Sequence, residues 1–263
     1  MHTLYIIKAG STFPAIRDRH QDFEDWIATG LIPPEVLPAE RPLLRVIDAT
    51  RNDHGPLSYP EPQACAGVVV SGSHAMVTEA AAWMQDLQQW LHQVCMAGVP
   101  VLGICFGHQL LAQTLGGQVG AHPAGLELGT VPVSIQTDVT QDPLWHSMPT
   151  CFEAHAVHYQ SVRRLPEGAC VIAGNSHEAH HAFRWRNHVW GVQFHPEFSR
   201  AAMQAYIDHI RQQLAGQTDA AALPLHQWRC SETPEAAQLL RQFALHAHRL
   251  AKHKSKSPWL QAA

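Results

Sequence analysis

Three residues in this chain have the types and the setting for covalent chemistry. Cys105 lies in Val99-Pro-Val-Leu-Gly-Ile-Cys-Phe-Gly-His-Gln109, an apolar run that reaches a Gly-x-Cys-x-Gly turn and continues as a helix. Such a strand-turn-helix elbow lifts the central side chain above the sheet. It also points the unpaired N–H groups of a helix N-terminus at the sulfur. That field favours thiolate, the nucleophilic form. A thiol so placed needs a base and a group to orient the base. Val189-Trp-Gly-Val-Gln-Phe-His195-Pro196-Glu197 supplies both. An apolar strand delivers His195 at its end, Pro196 stops it, and Glu197 reaches back to the imidazole, fixing its tautomer and stabilising the imidazolium. The chemistry such groups serve is nucleophilic catalysis by a cysteine.

Most other cysteines and histidines are read as structural. Cys65, Cys95, Cys151, Cys170 and Cys230 are dispersed without a C-x-x-C pair, which suits reduced thiols rather than a disulfide framework. Among the 20 histidines, His177-Glu-Ala-His180-His181 raises the question of a metal. Its position between two short strands favours a loop near the site, and no metal is expected. His246, His248 and His253 read as a solvated helix face.

The elements that must hold these groups follow from periodicity and punctuation. Leu4–Ala9, Leu43–Asp48, Gly67–Val70 and Val101–Ile104 are short apolar runs expected as buried strands. Helices are expected over Arg17–Gly30, with Gly30 as C-cap, over Glu79–Ala97 and over Phe106–Leu115. Strands separated by long crossovers mean parallel βαβ units. Pro33–Pro42 and Asp53–Pro62 read as loops. After Gly117 the runs Thr130–Gln136, Cys151–Val157, Cys170–Ala173, Ala182–Trp185 and Val189–Phe194 read as hairpins and added strands. A helix over Ser199–Leu214, a linker over 215–232 and a capped helix from Thr233-Pro234 to Lys252 complete the chain. The last helix carries an apolar stripe of Leu239, Leu240, Phe243, Ala247 and Leu250 for the domain or for a second subunit in a homodimer.

Composition bounds the rest. The 263 residues are 46% hydrophobic and 15% charged with a formal net charge of −4, a globular chain without an electrostatic case for nucleic acid or an anionic membrane. No apolar run nears the roughly 20 residues of a membrane span. The first residues lack a charged leader and read as a strand, so a cytoplasmic location is expected.

Gly103-Ile-Cys-Phe-Gly-His-Gln109 and Gly191-Val-Gln-Phe-His-Pro-Glu197 together resemble the class I, triad-type glutamine amidotransferases, in particular stand-alone proteins similar to the glutaminase domain of GMP synthase. The likeness spans residues 1–212. It implies an α/β fold: a central, mostly parallel, flavodoxin-like sheet flanked by helices, as an amidotransferase domain over 1–214, with 215–263 a linker and helical extension whose removal leaves the triad assembled. Carried over, it makes Cys105 the nucleophile, His195 the base and Glu197 its orienting acid. The backbone N–H of Phe106 and that of Gly72 or Ser73 would form the oxyanion hole. Gln109 and the segment His158-Tyr159-Gln160-Ser161 would hold the substrate. The chain departs from the family pattern where Ser73 replaces a second glycine and Gln160 an aspartate. The implied reaction hydrolyses glutamine to glutamate and ammonia without a cofactor. No P-loop is present, so an ammonia-accepting synthetase would be another chain. Two alternatives stand beside it: a γ-glutamyl peptidase acting on glutathione-like conjugates, and a non-catalytic regulatory or binding module on the same fold.

Overall fold

The structure is a computed structural model that describes residues 3–32, 41–51, 58–214 and 229–256. Of the loops expected over Pro33–Pro42 and Asp53–Pro62 and the linker expected over 215–232, residues 33–40, 53–57 and 215–228 lie outside the described residues.

Eleven strands and six α-helices are arranged around one large sheet. The strands are β1 (Thr3–Lys8), β2 (Leu44–Asp48), β3 (Cys65–Val70), β4 (Val101–Ile104), β5 (Gln118–Ala121), β6 (Glu127–Ile135), β7 (Cys151–His158), β8 (Gln160–Arg164), β9 (Ala169–Gly174), β10 (Ala182–Trp185) and β11 (Val189–Val192). The helices are α1 (Pro14–His20), α2 (Phe23–Leu31), α3 (Ala82–Met96), α4 (Phe106–Thr114), α5 (Arg200–Leu214) and α6 (Pro234–Lys256). The 9-stranded sheet runs β2-β1-β3-β4-β11-β10-β9-β6-β7. Its first half, β2 to β11, is parallel. The remaining strands add antiparallel, and β5 pairs with β8 in a separate ribbon. Strands β3 and β4 are buried throughout, as burial on both faces requires, whereas the run Leu43–Asp48, expected as buried, forms the edge strand β2 with Val46 exposed, because nothing pairs with its outer side among the described residues.

Two helices differ from the sequence-based expectation. The helix expected over Arg17–Gly30 is broken into α1 and α2 at Gln21, which has φ 73°, and Asp22. Asp22 is worth more as a cap than as a helical residue. Its carboxylate accepts from the N–H of Phe23 and Thr12 and pairs with Lys8 at 2.9 Å, and Asp25 completes a capping box. Gly30 is not the C-cap, because α2 continues through it to Leu31. A Cβ there would lie 2.3 Å from Leu240 Cδ1, so the glycine lets α2 and α6 cross closely. The helix expected from Glu79 begins at Ala82, after a 3-10 turn and Ala80 at φ 49°.

The C-terminal helix packs on this chain's own sheet. Ala236, Leu239, Leu240, Phe243 and Ala247 are buried in the same cluster as Leu4, Ile6 and Ala66. A dispensable extension would not bury residues in the central core. His246 is half-buried and meets Trp190 edge-on at 5.5 Å, so it does not belong to a purely solvated face.

Candidate active site

The site forms where β3, β4 and β11 end side by side. In the parallel register Val70 faces Gly103, and Ile104 faces Val192. The chain beyond each strand therefore emerges at one place: the Ser71-Gly72-Ser73 turn, Cys105 at the head of α4, and His195. A backbone bond from Cys105 N–H to Val192 O at 2.8 Å clamps two of these segments, and His195 N–H donates to His155 O at 2.8 Å.

Cys105 itself carries the strain of the elbow, with φ 50° and ψ −100°, a region L-residues rarely occupy. The flanking glycines serve close packing. A Cβ on Gly103 would lie 2.4 Å from Gly107 O, and one on Gly107 would lie 2.4 Å from Val70 O. Helix α4 thus rests directly on strand backbone, aimed at the sulfur. The buried thiol donates to Val157 O at 3.7 Å.

His195 and Glu197 are both buried, with Nδ1 2.7 Å from Glu197 Oε1. Burial opposes charging of this imidazole, yet the Glu197 carboxylate and the charge on Cys105 outweigh it and raise His195 to about 10. The Nε2 atom has no hydrogen-bond partner apart from its interaction with Cys105. A tautomer held by a carboxylate beside a thiol is the arrangement that nucleophilic acyl transfer needs.

The other predicted positions divide. Phe106 opens α4, so its N–H belongs to the first turn that a helix leaves unpaired. Gly72 gives room to the base, since a Cβ there would lie 3.1 Å from His195 Cε1. Ser73 lines the cavity without a left-handed backbone, so its replacement of glycine costs no strain. Gln109 is buried and donates to Gln160 O at 2.8 Å and to Gln193 Oε1 at 2.9 Å. His158, Tyr159 and Gln160 also line the cavity, which measures about 170 Å³. The Gln160 amide donates to Thr78 Oγ1 at 2.6 Å and its side-chain oxygen is buried without a partner. Ser161 is fully buried, with its hydroxyl 3.5 Å from Val162 O, and does not line the cavity. That separates it from the substrate-holding group, because alternate residues of β8 face opposite ways.

The sequence reading missed two groups. Glu127 is buried beneath the substrate segment. Its carboxylate meets His158 Nε2 at 2.8 Å, His181 Nε2 at 3.1 Å and the Asn175 amide at 2.8 Å. Burial opposes the charge, but the hydrogen bonds from His158 and His181 hold Glu127 well below the usual carboxylate range. His180 Nδ1 meets Val162 O at 2.6 Å. His180 and His181 are thus engaged with protein groups, His177 stacks on His122 at 4.2 Å, and among the described residues no group of three or more His, Cys, Asp or Glu is placed to hold a metal. The second group is an aromatic wall of Phe13, Phe23 and Tyr206 on the cavity, joined by His74, which the sequence already places near the mouth beside the Ser71-Gly72-Ser73 turn. Its members come from distant segments and carry no local motif. Glu127 had no local signal either, whereas Gln193 lay within the quoted His-Pro-Glu segment.

The family model described as Glutamine amidotransferase class-I matches residues 43–210. The chain is 38% identical over 132 residues to GMP synthase (glutamine-hydrolyzing) of Aeropyrum pernix, covering 50% of this chain and 24% of that protein. It thus spans about a quarter of the length of the GMP synthases it matches. It is 29% identical over 170 residues to Gamma-glutamyl peptidase 5 of Arabidopsis thaliana, covering 64% of this chain and 66% of that one. It is 30% identical over 153 residues to Gamma-glutamyl-L-1-hydroxyisopropylamide hydrolase of a Pseudomonas species, covering 56% and 52%. Among solved structures, a glutamine amido transferase from Methylobacillus flagellatus shares the fold, with a TM-score of 0.67 and 23% identity over 96% of this chain and 92% of that one. Among the described residues no helix is long and apolar enough to cross a membrane.

Proposed function

The chain belongs to the class-I glutamine amidotransferase family, and from that premise we propose that it is a hydrolase of γ-glutamyl amides, glutamine being the simplest. The observation that carries this reading is His195, held at 2.7 Å by Glu197 beside an elbow cysteine at φ 50°. The Cys105 thiolate, its proton resting on His195, adds to the amide carbon. The oxyanion is met by the Phe106 N–H and by that of Gly72 or Ser73, each such donor lowering the barrier by about 3 kcal/mol. His195 gives its proton to the nitrogen, the C–N bond breaks, and amine or ammonia leaves. A γ-glutamyl thioester on Cys105 remains.

Hydrolysis then needs His195 as a base. The charge on Cys105 is one cause of its high proton affinity, and acylation removes that charge. The imidazole therefore yields its proton more readily in the thioester state. It takes a proton from water as the hydroxyl adds to the carbonyl, and the sulfur departs as the thiolate beside the imidazolium. Glutamate leaves and the resting pair is restored.

A reading as γ-glutamyl conjugate hydrolase is supported by the likeness to a γ-glutamyl peptidase and to a γ-glutamyl-hydroxyisopropylamide hydrolase. The retained Cys105, His195 and Glu197 argue against a silent binding module. The test is glutamate release from γ-glutamyl amides by the intact chain and by Cys105→Ala. Turnover is expected only with the cysteine present; undiminished release by the variant would sink the mechanism.

A further inference from the structure

With Cys105 and His195 in the roles proposed above, the departing nitrogen must lie within reach of the His195 ring, and its substituent must fit the space around that ring. This space is aromatic. Phe23 lies nearly parallel to the imidazole, 6.4 Å away at an interplanar angle of 16°. Phe13 is sandwiched between His74 and His209, with centroid distances of 4.1 and 3.9 Å. Tyr206 adds a further ring. Its hydroxyl accepts from Thr12 at 2.7 Å and lies 3.1 Å from His74 Nε2. The Tyr206 hydroxyl is thereby used within the wall, and Phe13, Phe23, His74 and Tyr206 line the cavity with aromatic carbon. Burial, with help from the charges of His195 and His209, lowers His74 to about 4, so that ring is neutral at pH 7.

Among the described residues lining the cavity there is no Asp, Glu, Lys or Arg. A leaving ammonia needs no such wall. A leaving amino acid would bring its carboxylate against aromatic carbon, where no Lys or Arg among the described lining residues meets it. A hydrocarbon group on the nitrogen would lose water on both sides and stack. We propose that the preferred substrate is a γ-glutamyl amide whose nitrogen carries a branched or aromatic hydrocarbon group seated among Phe13, Phe23, His74 and Tyr206.

The test compares kcat/KM for glutamate release by the full chain from glutamine, γ-glutamylglycine, γ-glutamylisobutylamide and γ-glutamylbenzylamide. The two hydrocarbon amides are expected to exceed both others by about tenfold or more, the scale set by one to a few buried methylenes. Equal or faster turnover of glutamine or γ-glutamylglycine overturns the inference and leaves the reaction class standing. Release from none of the four overturns the reaction class itself. The Phe13→Ser variant should lower the benzylamide-to-glutamine ratio of kcat/KM by about tenfold. This ratio does not depend on how much of the variant folds, and an unchanged ratio overturns the assignment of the wall to the leaving group.

Discussion

Ile104 and Val192 are partners in the parallel pairing of β4 and β11. One residue beyond the first is Cys105, and three beyond the second is His195. Segments ninety residues apart are thus joined by strand register rather than by any contact between the two side chains. A thiol and an imidazole can then meet without either paying to be ordered at the moment of reaction.

That placement predicts selective alkylation. A glutamine-like diazo-ketone amino acid should attach to Cys105. Cys65 and Cys95 should remain unmodified, because burial pushes their thiols up to about 11 and 12. Peptide mass mapping reads the outcome. Modification of Cys65 or Cys95 in place of Cys105 would count against the elbow as the reactive centre.

Glu197→Gln keeps the shape of the buried partner but removes the charge that stabilises the imidazolium. Turnover of any γ-glutamyl amide should fall by about 10²–10⁴-fold, the usual weight of a positioned acid-base group. The circular dichroism spectrum should stay native. A variant within twofold of the parent would remove Glu197 from the mechanism.

Stability should fall on both sides of neutrality, for different groups. His195 is raised from 6.5 to about 10, against the cost of burial, by Glu197 and Cys105. Its contribution is complete below pH 6.5 and is lost as the pH rises toward 10. Burial lowers His74 and His155 from 6.5 to about 4. The folded state therefore excludes protons that the unfolded chain takes up, and stability falls as the pH drops from 6.5 toward 4. Thermal melts from pH 4 to 10 should show a maximum near pH 6.5, and a flat profile would contradict these environments.

Glu127→Leu would leave His158, His181 and Asn175 without their shared acceptor. Destabilisation of about 3–5 kcal/mol is expected, as for breaking a buried ion pair, measurable by urea unfolding. Glu127 is held below its ordinary 4.5, so its contribution is present above pH 4.5 and fades as the pH falls further. Parent and variant should therefore converge in acid. A constant difference between them down to pH 3 would show that lost packing dominates.

The α6 helix should prove structural. Phe243→Ala empties a fully buried site against the sheet and should cost about 3–5 kcal/mol. Ending the chain at residue 232 should lower the melting temperature and expose apolar surface to a hydrophobic dye. A truncated chain that melts like the parent would show that the domain stands without its last helix.

What the sequence by itself determined was local. The elbow needs two glycines around Cys105, and Pro196 and Glu197 follow His195 directly, so both motifs are complete within a few residues. Alternation of apolar runs with long crossovers carried the parallel half of the sheet for the same reason, since burial on both faces leaves its mark on inner strands such as β3 and β4. The break at Asp22 was a competition that only folding resolved, because the decisive partners, Lys8 and the Thr12 N–H, lie outside the helix. Tertiary structure alone assembled the Glu127 cluster from β6, β7 and the loop before β10. It alone brought Phe13 of the first loop onto Tyr206 of α5, with ring centroids 5.5 Å apart. It also turned α6 from an appendage into core. Such contacts leave no periodic trace, because each depends on two faces meeting and neither face is marked for the other in the chain.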